Sequence, residues 1–327
     1  MRLILGAILV VAFALRLGYV VAQRGDPLFS HPVLDEDEYV KAAHLLVEGH
    51  GDPRPYWQPP GIIYTLAATF EVSNDLFFAR LIQILVSVAS CGLVFLIGRR
   101  LFDPRVGLVA AAITAVHGVL VFECYELLPA TWIAFWDLLA LWLLLRAAET
   151  GKPFAAFATG LALGISAVFS PVVLPFAIVA AILVKKPLAI AALVAGVALP
   201  IAPVTCHNHQ LGEFVLISAN GGFNLYLGNN PDYDHTMAMR PGRDWELLTT
   251  EPNRHGIAEP GAASTYFTHK ALSFMTSHPI SEAGLLAKKT YLYFHGAEIP
   301  RDTDIYASRD GVLAPDRKST RLNSSHT

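Results

Sequence analysis

Apolar runs fill the first 205 residues, at 3–22, 77–97, 106–122, 127–145, 154–169, 172–184 and 188–204. A bilayer's hydrocarbon core is about 30 Å thick, so an upright helix needs roughly 20 such residues. Backbone in lipid must satisfy its own hydrogen bonds, which helices do. These runs restrict the chain to an all-α polytopic membrane protein with about seven transmembrane helices; local thinning and snorkelling flanks accommodate the shorter runs. Charged residues make up 16% of the chain, against about a quarter in soluble domains. They are sparse up to Thr205 and ordinary afterwards. The expected organisation is a membrane part, 1–205, followed by a water-exposed domain, 206–315.

With the N-terminus inside, Arg99, Arg100 and Arg105 fall in the second connection, Arg146 and Lys152 in the fourth, Lys185 and Lys186 in the sixth. All then face the cytoplasm, as the positive-inside rule asks. Seven crossings leave 23–76, 123–126, the Ser170-Pro171 turn and everything after Thr205 outside. The stretch 154–184 also reads as one helix kinked at Pro171 and Pro175, but lysines at both ends call for two crossings. Val20-Val21-Ala22 resembles a signal-peptide cleavage site; Arg16 inside the run and a leader charged only at Arg2 count against cleavage. A net charge of −3 with no basic cluster excludes nucleic acid as a partner. Cys91, Cys124 and Cys206 have neither metal-ligand spacing nor the number for a disulfide framework.

The first outer loop, 23–76, concentrates the chemistry. It carries Asp35-Glu36-Asp37-Glu38-Tyr39 and later Tyr56-Trp57-Gln58-Pro59-Pro60. Ionisable groups beside a bilayer are costly and tend to be functional. Asp35 and Glu38 have the spacing of a capping pair. Tyr39, Ala42, Ala43, Leu46 and Val47 form a helical stripe, ended by Gly49 and Gly51. Such a helix lies along the membrane surface with its stripe in the interface. Capping and solvation account for Glu38 and Asp37 more readily than for all four acids, which leaves Asp35 or Glu36 as the functional carboxylate.

Several motifs, in order, resemble the GT-C integral-membrane glycosyltransferases, in the branch of the protein O-mannosyltransferases and the lipid A aminoarabinose transferase. They are Asp35-Glu36 with Tyr39, Pro59-Pro60 with Tyr64, the run from Arg80 to Arg146 including Leu101-Phe102-Asp103-Pro104-Arg105-Val106-Gly107, and Glu126-Leu127-Leu128-Pro129. Asn220-Gly221-Gly222-Phe223-Asn224-Leu225, His278-Pro279 and Glu298-Ile299-Pro300-Arg301 follow. The resemblance spans nearly all of residues 3–310. It implies a GT-C membrane core and transfer of a sugar from a polyprenyl-phosphate donor to an acceptor hydroxyl on a lipid, glycan or protein, at the outer face of a bacterial inner membrane. It implies Asp35 as general base with Glu36 beside it; Asp37-Glu38 repeats the pair but lacks Tyr at the family's spacing. Family members often carry a basic residue before the Pro pair, where this chain has Gln58.

A carboxylate can take the acceptor's proton, and a guanidinium or ammonium can receive the departing phosphate. Lys41, Arg54 and Arg16 are the candidate cations, with snorkelling as the competing role for Arg16; Gln58 and Glu126 complete the substrate-binding candidates. No metal site is assigned, although a divalent ion between Asp35 and Glu123 or Glu126 stays open; for Glu126 the alternative is a first-turn acid favoured by its helix dipole. Beyond Thr205, a strand over 213–218, turns at 220–222 and 229–231, and helices over 262–277 and 280–294 are expected, a small mixed α/β domain. Tyr291, Tyr293, Phe294, Lys288 and Lys289 read as interfacial anchors. The rival functions are a transporter or flippase, which would place charges mid-membrane within internal repeats, and a non-catalytic scaffold. Residues 316–327 resemble the in-frame translation of a sequencing-library adapter and stay outside fold reasoning; the natural chain is expected to continue into further membrane helices.

Overall fold

The computed structural model describes residues 1–295 and forms two compact units, 1–51 with 61–201 and 52–60 with 202–295. Expectations for Glu298–Arg301, for the end of the outer domain and for 316–327 lie outside the described residues.

The first unit is a helical bundle. It comprises α1 (Arg2–Ala22), α2 (Leu34–Val47), α3 (Gly61–Phe70), α4 (Leu76–Leu101), α5 (Pro104–Val116), α6 (Ala130–Thr150), α7 (Pro153–Phe169), α8 (Leu174–Val184) and the start of α9 (Pro187–Gln210). Local chemistry sets the ends. Asp75 caps α4 by accepting from Phe77 N, and Asp103 caps α5 by accepting from Arg105 N and Val106 N, with Pro104 in the first turn. Gly151, at φ 59°, closes α6 in the left-handed conformation that glycine adopts without strain. Helix α4 packs on α1, α5 and α6, and α6 on α7. Within the apolar α6, Asp137 accepts from Ser166 Oγ of α7 at 2.6 Å.

Among the described residues four helices, α1, α4, α6 and α9, are long and apolar enough to cross a membrane, so the expected count of seven spans is not supported. The run 106–122 breaks at His117, whose backbone is extended, into α5 and a short helix Gly118–Phe122. The run 154–184 breaks at Ser170-Pro171 into α7 and α8. A Cβ built on Gly151 would lie 2.6 Å from Lys186 Nζ. The two ends of the α7–α8 pair therefore meet, which makes it a hairpin rather than one kinked helix. Helix α7 lies against α9 at glycines: Cβ atoms on Gly160, Gly164 and Gly196 would sit 2.0, 2.4 and 2.3 Å from the carbonyl oxygens of Leu193, Val197 and Phe157. Small residues allow such backbone approach between membrane helices.

The second unit is built on α10 (Gly221–Gly228), α11 (Pro260–Ser277) and α12 (Pro279–Phe294), with Phe223, Leu227 and Phe267 at its core. Both C-terminal helices fall where the sequence puts them. The mixed α/β expectation does not hold, since no described residue is in a strand. Residues 213–218 have no neighbouring strand to pair with. Side chains take their carbonyls instead: Asn208 Nδ2 donates to Val215 O and Ile217 O, and Thr205 Oγ1 to Leu216 O. The glycines expected to turn at 220–222 open α10. Lys288 pairs with Asp234 and Lys289 donates to Asn229 Oδ1.

Candidate active site

Helix α2 begins at Leu34, whose φ of 56° lies in the left-handed region. That conformation costs a non-glycine residue roughly 1–2 kcal/mol, and such strain concentrates at functional positions. The N-cap is Val33 and no side chain caps the helix. Asp35 therefore enters the first turn instead of forming the capping pair with Glu38. The apolar stripe also differs from expectation. Tyr39 and Ala43, with Leu46 and Val47 beside them, pack with Ile62, Leu66 and Phe70 of α3. The short run 61–70 supplies a protein surface where an interfacial helix would have met lipid.

The four acids have different environments. Glu36 is 7% exposed and accepts from Arg80 Nη2 at 2.9 Å and from Leu127 N at 3.2 Å. Arg80, fully buried, also donates through Nε to Tyr125 O and through Nη1 to Phe29 O, both at 2.8 Å. Its guanidinium lies 4.4 and 4.8 Å from the Phe29 and Tyr125 ring centres. Burial lifts the Glu36 carboxyl above the usual carboxylate range, against the pull of Arg80 and the Leu127 N–H. Asp37 pairs with Lys41 at 2.6 Å on the exposed side, a contact worth about 1 kcal/mol or less. Glu38 is exposed. Asp35 is half-buried and makes no hydrogen bond or ion pair with any described residue.

Arg80 is the residue that sequence reasoning missed. Its signal was a lone arginine near the start of an apolar run, a costly position. It joins Phe29, Glu36 and Tyr125, so it fixes the first loop against the segment 123–129. Gln83 assists, with Nε2 donating to Glu123 O at 2.9 Å.

The remaining candidates are dispersed. Arg16 is fully buried; Nε donates to Ser87 Oγ at 2.9 Å, and Nη1 to Ala12 O and Ala115 O at 3.1 and 2.9 Å. It satisfies the terminal carbonyls of α5 beside the His117 break and does not snorkel. Glu126 is buried ahead of α6, which starts at Ala130, so it is not a first-turn acid. Lys41 shares α2 with Asp35. Arg54, exposed, and Gln58, half-buried, belong to the second unit. Among the described residues no three His, Cys, Asp or Glu side chains converge as a metal-ligand set.

Residues 57–207 match the sequence model of the dolichyl-phosphate-mannose-protein mannosyltransferase family, just under half of the chain. No curated protein and no solved structure matches the chain. The match implies a membrane glycosyltransferase of the mannosyltransferase type, and the apolar helices imply a multi-pass membrane protein. The matched segment contains Arg80 and begins after Asp35 and Glu36.

Proposed function

We propose that the chain transfers a sugar from a polyprenyl-phosphate donor to an acceptor hydroxyl, with Asp35 as general base. One observation carries this reading: Asp35 follows a strained Leu34 and has no partner among the described residues, while Glu36 beside it is locked in a buried pair with Arg80. A base must be open to substrate, and Glu36 is buried with its carboxylate engaged by Arg80 and the Leu127 N–H. Glu36 and Arg80 act as positioning residues for the turn that presents Asp35.

In the reaction the acceptor oxygen attacks the anomeric carbon and its proton passes to the Asp35 carboxylate. The bond from that carbon to the phosphate oxygen breaks, and polyprenyl phosphate leaves with the electron pair. Lys41, exposed on the same helix as Asp35, is the cation proposed to receive the phosphate charge. The guanidinium donors of Arg16 are engaged by a hydroxyl and backbone carbonyls, so Arg16 leaves that role. The same reading keeps the loop on the outer face of a bacterial inner membrane, with the acceptor a lipid, glycan or protein.

Asp35→Asn preserves size and removes the base, so kcat should fall about 10²–10⁴-fold with donor affinity little changed. Asp37→Asn should be much milder. Purified protein and radiolabelled polyprenyl-phosphate sugars provide the assay. Undiminished turnover in Asp35→Asn, or equal loss at both positions, refutes the assignment.

A further inference from the structure

The second unit carries an open groove of about 720 Å³, walled by α11 on one side and by Tyr226, Pro231 and Ile257 on the other. That is within the ordinary range for a ligand site. Helix α11 contributes two rows at four-residue spacing, Tyr266, Lys270 and Phe274 in one, Thr265, His269, Ser273 and Ser277 in the other. From Ala262 to His278 the wall is about 24 Å long at 1.5 Å per residue.

The chemistry of this wall narrows its ligand. Lys270, the charged residue in the lining, is neutralised locally. Its ammonium donates to both oxygens of Glu251, at 2.6 and 2.9 Å, and lies 4.4 Å from the Tyr226 ring centre. Tyr266 Oη donates to the same carboxylate at 2.7 Å. The groove therefore asks for no net charge. The rings of Tyr226, Tyr266 and Phe274 share the groove with a row of hydroxyl and imidazole groups, each able to donate and accept. An acyl chain would bury those polar groups without partners, at a cost. An extended peptide would need main-chain partners, and the helix backbone already uses its own internally. A sugar ring offers apolar faces for the aromatics and hydroxyl edges for the polar row.

We propose that this groove binds a neutral linear oligosaccharide. This binding does not rest on the transferase reading above. The test is saturation-transfer NMR on the full chain in a sugar-free detergent, with mannotetraose, maltotetraose and cellotetraose as probes and a neutral Ser/Thr-containing hexapeptide as competitor. At least one tetraose should bind, with its ring protons saturated. Phe274→Ala and Ser273→Trp should each weaken binding tenfold or more; the second fills the groove from an exposed position, so a folding defect in the first does not leave the question open. Asp35→Asn should bind as the native chain does. No binding by any tetraose, unchanged binding in Ser273→Trp, or displacement by the hexapeptide would overturn the proposal. Native transferase activity without oligosaccharide binding would sink the groove alone, and binding with full activity in Asp35→Asn would sink the base alone.

Discussion

Glu36 has two protein donors and almost no solvent, whereas Asp35, one residue earlier, has solvent and no donor among the described residues. The buried pair makes a stability prediction separate from activity. Removing one partner of such a pair strands the other charge and costs about 3–5 kcal/mol, while replacing both by apolar residues is near neutral. Arg80→Met should therefore melt well below the native protein in detergent, and Glu36→Leu combined with Arg80→Met should regain most of the loss. A double variant as unstable as Arg80→Met alone would show that the pair is not the anchor. At Glu251, burial opposes the charged form, but hydrogen bonds from Lys270 and Tyr266 outweigh it and hold the carboxyl below its usual value of 4.5. A depressed carboxyl stabilises the fold above its unfolded pKa, and this contribution is lost as pH falls through the lowered folded value. Melting of the native protein should thus drop more steeply below pH 4.5 than melting of Glu251→Gln, and parallel profiles would contradict this. The sequence pointed to the carboxylate loop, but the local capping pattern could not show that Leu34 turns left-handed and that Asp35 lies in the first turn without a capping bond. The partner of Glu36 stands 44 residues away, beyond any local pattern.

Helix–helix contact in the first unit depends on glycine where α7 meets α9. Gly160 and Gly164 are one turn apart, and a Cβ at either would overlap a carbonyl of α9. Gly160→Ala must push the helices apart or bend one, and overpacking of this kind costs about 1–3 kcal/mol. At Gly92 on α4 an added Cβ would meet nothing within 4 Å, so Gly92→Ala should be neutral or slightly stabilising through helix propensity. Thermal unfolding of the two variants in one detergent checks the contrast, and equal behaviour would deny the close approach. Long helices were legible because about twenty apolar residues in a row have no soluble alternative. Shorter elements were less so. Residues 61–70 are apolar over too few positions to count as a span and became α3, while 213–218 has strand-like residues but no partner strand, and Asn208 and Thr205 took its carbonyls.

For the whole molecule the question is which side of the membrane each end occupies, and parity decides it. If only α1, α4, α6 and α9 cross and the N-terminus is inside, Arg146 and Lys152 fall outside while Arg99 and Arg100 stay inside. That splits the basic residues between the two faces, against the positive-inside rule. One further crossing by α5 with Gly118–Phe122 returns all of them to the cytoplasm and puts residues 206–295 outside. The α7–α8 hairpin leaves this unchanged, because Lys186 comes back to Gly151 whether or not the pair spans fully. Five crossings or seven therefore give the same sides, and four put everything after α5 on the opposite side. Cys91 and Cys124 are buried and Cys206 is exposed, so a Cys206→Ser background suffices for labelling intact cells with an impermeant thiol reagent. Asp244→Cys, at an exposed position of the second unit, should react, while Lys152→Cys and Lys186→Cys should both be protected until the membrane is opened. The inverse pattern would establish four crossings, and reaction at one of the two lysine positions alone would break the hairpin.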